Sequence, residues 1–163
     1  MSIAFHPDEF TDSAREFRGQ IVRAEYKTPW TKENSPFAEE SPDCVRIEIV
    51  TEQYSKPQYE WYPPTRLTKT KWYYFIKALY DTGAMNDIKI EGNTDDERVW
   101  SLCKQLIGME FYWKEFTNLE GFRKDRPITR LLLPVEYLGK AEIKRKPPEE
   151  VDVATEKIGG GID

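Results

Sequence analysis

Strict alternation of apolar and polar residues from Cys44 to Gln53 is the sequence feature that most constrains this fold. Apolar or β-branched residues recur at every second position, namely Val45, Ile47, Ile49 and Thr51. Mostly charged residues lie between them, namely Arg46, Glu48, Val50 and Glu52. Because successive side chains of a strand point to opposite faces, this pattern predicts a β-strand with one face against a hydrophobic core.

Two further runs predict strands on either side of it. Residues from Phe17 to Lys27 alternate in the same way, and the run from Gln58 to Tyr62 stops at Pro63 and Pro64. The 28–42 segment contains three prolines, which exclude a helix or a central strand and indicate a long loop. Three strands joined by turns and loops indicate an antiparallel meander.

Helical periodicity follows the third strand. A first helix is predicted with its N-cap at Thr68 or Thr70 and its end at Gly83, and its apolar stripe is Trp72, Phe75, Ile76 and Leu79. A second helix is predicted to start at Thr94, with Glu97 completing a capping box. Its apolar stripe is Val99, Leu102, Cys103 and Leu106, and Gly108 ends it. We expect the first stripe to pack in the core far more readily than to contact a ligand.

Alternation returns at Met109 and again from Ile128 to Val135, with a turn-rich basic stretch over 118–127 between them. The chain therefore predicts a mainly β fold of five strands, with a helical insert between strands 3 and 4. We expect one domain over 17–139 and an acidic N-terminal arm over 1–16. The 140–163 segment is predicted to be a flexible tail, because it has too little apolar area to offset the entropy of ordering.

Composition removes several classes of protein. The chain has 163 residues, enough for one compact core, and no run approaches the roughly 18 apolar residues of a membrane-spanning helix. Its N-terminus lacks the pattern of a signal peptide, so we expect a cytoplasmic location and no membrane partner. Cys44 and Cys103 match no metal or redox spacing, and His6 is the only histidine.

Catalytic motifs are not found in the sequence. It contains no phosphate-cradling glycine loop and no nucleophile elbow. The acidic cluster from Asp87 to Glu97 lacks the ligand spacing of a calcium loop, and we interpret it as a solvated helix start. We therefore predict neither an enzyme nor a bound cofactor or metal.

Four segments carry a resemblance to a known family. They are Phe17-Arg18-Gly19-Gln20-Ile21-Val22, the helix from Trp72 to Leu79, Leu106-Ile107-Gly108-Met109-Glu110-Phe111, and Leu132-Leu133-Pro134-Val135-Glu136-Tyr137-Leu138. Together with the element order, they make the chain similar to small OB-fold replication proteins of phages and archaeal elements. The resemblance implies a five-stranded OB-like Greek-key barrel that binds single-stranded DNA through strands 2 and 3 and the loops joining strands 1 to 2 and 4 to 5.

Single-strand binding needs exposed rings for base stacking and cations along the phosphates. Two windows combine both, from Tyr54 to Tyr80 and from Gly121 to Arg130. The candidate nucleic-acid-binding residues are Trp30, Lys32, Arg46, Lys56, Tyr59, Trp61, Tyr62, Phe122, Arg123, Lys124 and Arg126.

Strand alternation leaves some placements open. It puts Tyr59 and Trp61 on one face and Tyr62 on the other, so that Trp61 is either interior or a stacking platform. Arg46 either contacts phosphate or pairs with Glu48 or a residue of a neighbouring strand.

The sequence thus favours binding of single-stranded DNA, or RNA, in replication, recombination or repair. Replication proteins are the protein partners that this role implies, and the oligomeric state stays open. The alternative is a protein–protein adaptor that holds a partner in the grooves of the barrel, with contacts from Trp30, Phe37 and the tail. A net charge of -5 predicts weak, salt-sensitive binding to a polyanion.

Overall fold

A computed structural model describes residues 14–27 and 43–143. In chain order the elements are β1 (Glu16–Lys27), β2 (Cys44–Val50), β3 (Gln58–Tyr62), α1 (Lys71–Asp81), a 3-10 helix (Ala84–Asp87), α2 (Asp95–Leu106), β4 (Met109–Leu119) and β5 (Ile128–Lys140). The prediction of a mainly β chain with helices between strands 3 and 4 is confirmed.

The five strands form one antiparallel sheet in the order β3-β2-β1-β4-β5. The predicted barrel would need a backbone ladder between the edge strands β3 and β5, and the strands that the structure describes form none. Side chains span these edges instead. The Leu132 amide donates to Glu60 Oε2 over 3.0 Å, and the Tyr62 hydroxyl donates to the Leu132 carbonyl. We call this pair of contacts the β3–β5 seam.

The long strand β1 serves two partners. Its first part, Glu16 to Gln20, pairs with β4, and its second part, Gln20 to Lys27, pairs with β2 with a register shift between Ile21 and Arg23. Such a shift bends and twists a strand. Just before the shift lies Gly19, where a Cβ would come within 2.5 Å of the Ile49 side chain. The close approach of β1 and β2 therefore requires glycine at position 19.

The predicted helices form where the sequence places them. Thr70, and not Thr68, is the N-cap of α1, and its hydroxyl accepts a bond from the Tyr73 amide at 3.2 Å. Thr94 accepts from the Glu97 amide, but the Glu97 carboxylate accepts from the Asn93 amide, one residue before the position that a capping box requires. The start of α2 is therefore capped by two side chains, those of Thr94 and Glu97, which do not form the reciprocal pair of bonds of a capping box.

The core lies between the inner face of the sheet and the two helices. α1 packs against β5 and β3, whereas α2 packs against β1. Fully buried rings and aliphatic side chains from both layers include Phe75, Leu79, Leu106, Phe111 and Trp113. The stripe of α1 that was predicted to be core is thus fully or partly buried, and so is the apolar stripe of α2.

Strand ends differ from the predicted ones. β2 stops at Val50 because the Thr51 hydroxyl accepts a bond from the Gln53 amide and starts a turn. β5 continues past Val135 to Lys140, with two register shifts opposite β4. Most of the predicted arm and tail lies outside the described residues. None of the helices in the described ranges is long and apolar enough to span a bilayer.

Candidate nucleic-acid interface

Arg46, Tyr59 and Trp61 come together on the outer face of β2 and β3, and we call them the aromatic face. Strand register sets Arg46 opposite Trp61, and Tyr59 lies two residues before Trp61 on β3. The Arg46 guanidinium carbon lies 4.6 Å from the centroid of the Tyr59 ring and 5.8 Å from that of the Trp61 ring. The two ring centroids are 6.1 Å apart. These distances are typical of cation–π contact.

The alternation of β3 explains why these rings point outward. Glu60 and Tyr62, at the intervening positions, are buried on the inner side, while Trp61 retains 43% of its accessible surface. Of the two placements that the sequence left open, Trp61 takes the exposed one. Arg46 lies over the two rings, and Glu48 has Arg23 across the strand, with 3.8 Å between Arg23 Nε and Glu48 Oε1.

Tyr62, also a candidate for stacking, belongs to the core. Its side chain is fully buried, and its ring stacks on Phe75 with 4.1 Å between centroids. Burial, followed by the charge of Glu60, raises the pKa of the Tyr62 hydroxyl well above its usual value. A ring without accessible surface cannot stack on a base, so Tyr62 is removed from the candidate interface.

The turn between β4 and β5 carries the second group of candidates, and we call it the basic turn. Its members are Phe122, Arg123, Lys124 and Arg126, all of them exposed, with Phe122 at 53%. The Arg126 amide donates to the Arg123 carbonyl over 3.0 Å and closes the turn. Within the described ranges, no carboxylate lies at ion-pair distance from its three cations.

Contacts from α1 and the segment before it hold the base of this turn. The Tyr74 hydroxyl donates to the Glu120 carbonyl over 2.6 Å, and Lys69 Nζ lies 3.0 Å from the Glu120 carboxylate. The Glu120 hydrogen bond and charge raise the pKa of the exposed Lys69 ammonium. The cations of the basic turn therefore extend from an anchored base.

The remaining candidates are less well placed. Lys56 is exposed in the turn before β3, where its carbonyl accepts a bond from Gln58 Nε2 at 3.2 Å. Trp30 and Lys32 lie outside the described residues. The structure thus groups seven of the eleven candidates into the aromatic face and the basic turn.

Sequence reasoning missed two buried carboxylates on the inner side of the sheet. Glu60 Oε1 accepts from Lys71 Nζ at 2.9 Å, and Glu115 is bound by Arg15 at 2.7 Å and by Arg130 at 3.0 Å. Burial alone would raise the pKa of the Glu115 carboxyl, but the hydrogen bonds and charges of the two arginines outweigh it and lower that pKa. The only signal for their burial in the sequence is their position in the strand: each lies two residues from a buried aromatic residue and therefore on the same face of the sheet.

An exposed ring on β4 was also missed. Tyr112 retains 42% of its accessible surface and lies opposite Arg18 of β1. The Arg18 guanidinium binds the Glu110 carboxylate at 3.0 Å, so its charge is partly neutralised. Tyr112 is therefore next to a cation that already has a carboxylate partner, whereas Arg46, beside Tyr59 and Trp61, forms no ion pair with a described carboxylate.

Among the residues that the structure describes, no group of three or more His, Cys, Asp or Glu side chains could hold a metal ion. No family model, curated protein or solved structure matches this chain. The aromatic face and the basic turn are therefore the features of this chain that bear on its function.

Proposed function

We propose that the protein binds single-stranded nucleic acid, preferring DNA, in replication, recombination or repair. The observation that carries the proposal is the aromatic face, where an exposed Trp61 ring and a partly buried Tyr59 ring lie 5.8 and 4.6 Å from the partly buried Arg46 guanidinium carbon. Unpaired bases stack on such rings, each for about 1–3 kcal/mol, without regard to base identity. The guanidinium can stack on a base and also bind a phosphate oxygen.

The basic turn supplies the second element of this proposal. Its three cations have no described carboxylate partner, so that they can contact phosphates without first breaking an ion pair. Binding to phosphates releases counterions and falls with salt. Since the chain as a whole has a net charge of -5, we expect modest affinity that depends on this local concentration of positive charge.

We also propose that the sheet is a partly open OB-like Greek-key barrel. Two observations support it: β3 and β5 are the edges of the sheet, and side chains of β3 bind the main chain of Leu132 on β5. A five-stranded, partly open barrel is the OB arrangement, in which strands 2 and 3 carry the ligand. The aromatic face lies on those two strands.

Fluorescence titration with an oligo(dT) strand tests the function. We expect quenching of tryptophan emission at low salt and its recovery on adding salt, because stacking brings bases onto Trp61 and salt weakens the phosphate contacts. Trp61→Phe should remove most of the quenching. Trp100→Phe is the matched control, since Trp100 is similarly exposed at 37% but lies on α2. Absence of quenching at micromolar wild-type protein in low salt would refute the proposal.

A second candidate function is that of a protein–protein adaptor. It is favoured by a groove of about 510 Å³ between α1 and α2, whose apolar lining includes Trp72, Ile76, Met85 and Val99. An adaptor should be recovered from its own cell as a stable complex at high salt, where a nucleic-acid complex dissociates. A variant with a charged residue in place of Ile76 tests whether this groove takes part in strand binding. Unchanged affinity for oligo(dT) would show that it does not.

A further inference from the structure

We propose that Glu60 is a positioning residue for the aromatic face: its buried carboxylate fixes the β3 main chain at Trp61 against α1 and β5. The inference rests on the proposed function, since it concerns how well Trp61 is prepared for stacking. It adds a residue that touches no ligand, because Glu60 points inward and is buried.

Three hydrogen-bond donors from three elements meet on this one carboxylate. Oε1 accepts from the Trp61 amide at 3.0 Å and from Lys71 Nζ, at the start of α1, at 2.9 Å. Oε2 accepts from the Leu132 amide of β5 at 3.0 Å. A carboxylate has no donor of its own and several acceptor sites, so it is the side chain suited to three converging N–H groups.

The position of β3 at the sheet edge makes this carboxylate necessary. An edge strand has a row of amides and carbonyls without ladder partners, and buried ones must be satisfied by side chains. At the β3–β5 seam, Glu60 satisfies one amide from each strand, and the Tyr62 hydroxyl satisfies the Leu132 carbonyl. The spacing of the two edges is therefore set by side chains of β3.

Trp61 depends on that spacing more than any other residue of the aromatic face. Its own amide is one of the three donors to the Glu60 carboxylate. Its ring lies beside Arg46, on the side of the sheet opposite to that carboxylate. A ring held in place before binding loses less conformational freedom when a base stacks on it. Glu60 therefore raises affinity by reducing the ordering that binding requires.

Glu60→Gln is the decisive substitution, because it keeps the size of the side chain and replaces one acceptor oxygen by an NH₂ donor. That donor must face at least one of the three N–H groups, so a main-chain or lysine bond is lost. The second contact of the seam, from Tyr62 to Leu132, remains. Lys71→Met is the milder variant, since it removes one donor from a side chain that is 32% exposed and leaves both main-chain bonds to Glu60.

The experiment uses full-length protein labelled with 5-fluorotryptophan, in which we expect a separate ¹⁹F resonance for each of the five tryptophans. Loss of one peak in Trp61→Phe identifies the Trp61 signal, and the buried Trp113 reports on the core. In Glu60→Gln we expect the Trp61 resonance to shift and broaden, the Trp113 resonance to stay, and oligo(dT) affinity to fall about tenfold. Lys71→Met should shift the Trp61 resonance less, and it should lower the binding free energy for oligo(dT) by roughly a third as much as Glu60→Gln does.

Cys103→Ala is the control for a general loss of stability, because Cys103 is buried on α2, the helix that packs against β1. It should lower the melting temperature without moving the Trp61 resonance or the affinity. An unchanged Trp61 resonance and unchanged affinity in folded Glu60→Gln would overturn the inference. If Glu60→Gln does not fold, the same two readouts in Lys71→Met decide it. Failure of the wild type to bind oligo(dT) would instead refute the proposed function, and that result is obtained before any variant is made.

Discussion

Trp61 and Tyr62 are adjacent in the sequence, yet one is exposed on the aromatic face and the other is among the most buried side chains in the structure. The aromatic face and the ring pair of Tyr62 and Phe75 lie on opposite sides of β3. Aromatic content is therefore a poor guide to function in this chain. What separates the exposed Trp61 ring from the buried Tyr62 ring is the phase of one strand, in which successive side chains point to opposite sides.

Large-to-small substitution at the two rings should give the largest contrast. Tyr62→Ala is expected to lower the free energy of unfolding by about 3–5 kcal/mol, because it leaves a cavity against Phe75 and an unsatisfied Leu132 carbonyl. Trp61→Ala should cost less than about 1 kcal/mol, since much of the ring is already in water. Urea unfolding measures both. Similar losses for the two variants would contradict the assignment of the two faces.

Acid should act on the inner side of the sheet through Glu115. The folded-state pKa of this carboxyl lies below its usual value, so its contribution to stability is present above about pH 4.3, the ordinary pKa of glutamate, and is lost as the pH falls through the folded-state pKa. Glu115→Gln should therefore lower the free energy of unfolding at pH 7, by about 1–3 kcal/mol.

The difference between wild type and Glu115→Gln should shrink in acid, where both side chains are neutral. Urea unfolding at pH 7 and at successively lower pH measures it. Glu136→Gln, which removes a carboxylate at an exposed position of β5, is the matched control variant. A gap between wild type and Glu115→Gln that stays constant down to the acid limit would show that the ion pairs with Arg15 and Arg130 contribute nothing.

Arg46 tests whether the outer face works by stacking or by charge alone. Arg46→Lys keeps the positive charge but removes the planar group that lies over Tyr59 and Trp61, and we expect oligo(dT) affinity to fall by about 0.5–1 kcal/mol. Arg46→Ala should lower the affinity for oligo(dT) further. Equal affinity of wild type and Arg46→Lys in a fluorescence titration would indicate that only the charge matters.

The basic turn should show the smallest effect on stability. Replacing Arg123, Lys124 and Arg126 together by Ala should change the free energy of unfolding by no more than about 0.5 kcal/mol, because all three are exposed. Affinity for a single strand should fall, and the slope of log affinity against log salt should flatten by about 0.7 for each phosphate contact removed. A collapse of stability would mean that the turn is structural.

Much of the fold was predictable because its signals are local. Alternation located β2, and the run before Pro63 and Pro64 located β3. Side-chain caps placed the start of α1 at Thr68 or Thr70, of which Thr70 is the observed N-cap, and the start of α2 at Thr94. The far end of β5 was not predictable, because its extension depends on pairing with β4 through two register shifts. Closure of a barrel was predicted from element order, whereas the edges of the sheet meet through side chains and form no ladder between described strands.

For the candidate site, the sequence supplied the residues but not their grouping. It placed Tyr59 and Trp61 together on one face of β3, yet could not say whether that face was inner or outer. The decision came from Glu60 and Tyr62, whose partners on α1 and β5 lie 11 and 70 residues away in the chain. Long-range partners of this kind leave no periodic signal.

By itself, the sequence determined where the five strands and the two α-helices lie, apart from the ends of β2 and β5, since period, caps and proline positions act within a few residues. It also determined that rings and cations occur together near strand 3 and in the turn after strand 4. Only the tertiary structure decided which side of β3 faces the core, because burial depends on what packs against a strand. There α1 and β5 cover Glu60 and Tyr62, whereas Trp61 on the opposite side stays exposed and Arg46 and Tyr59 beside it are only partly buried.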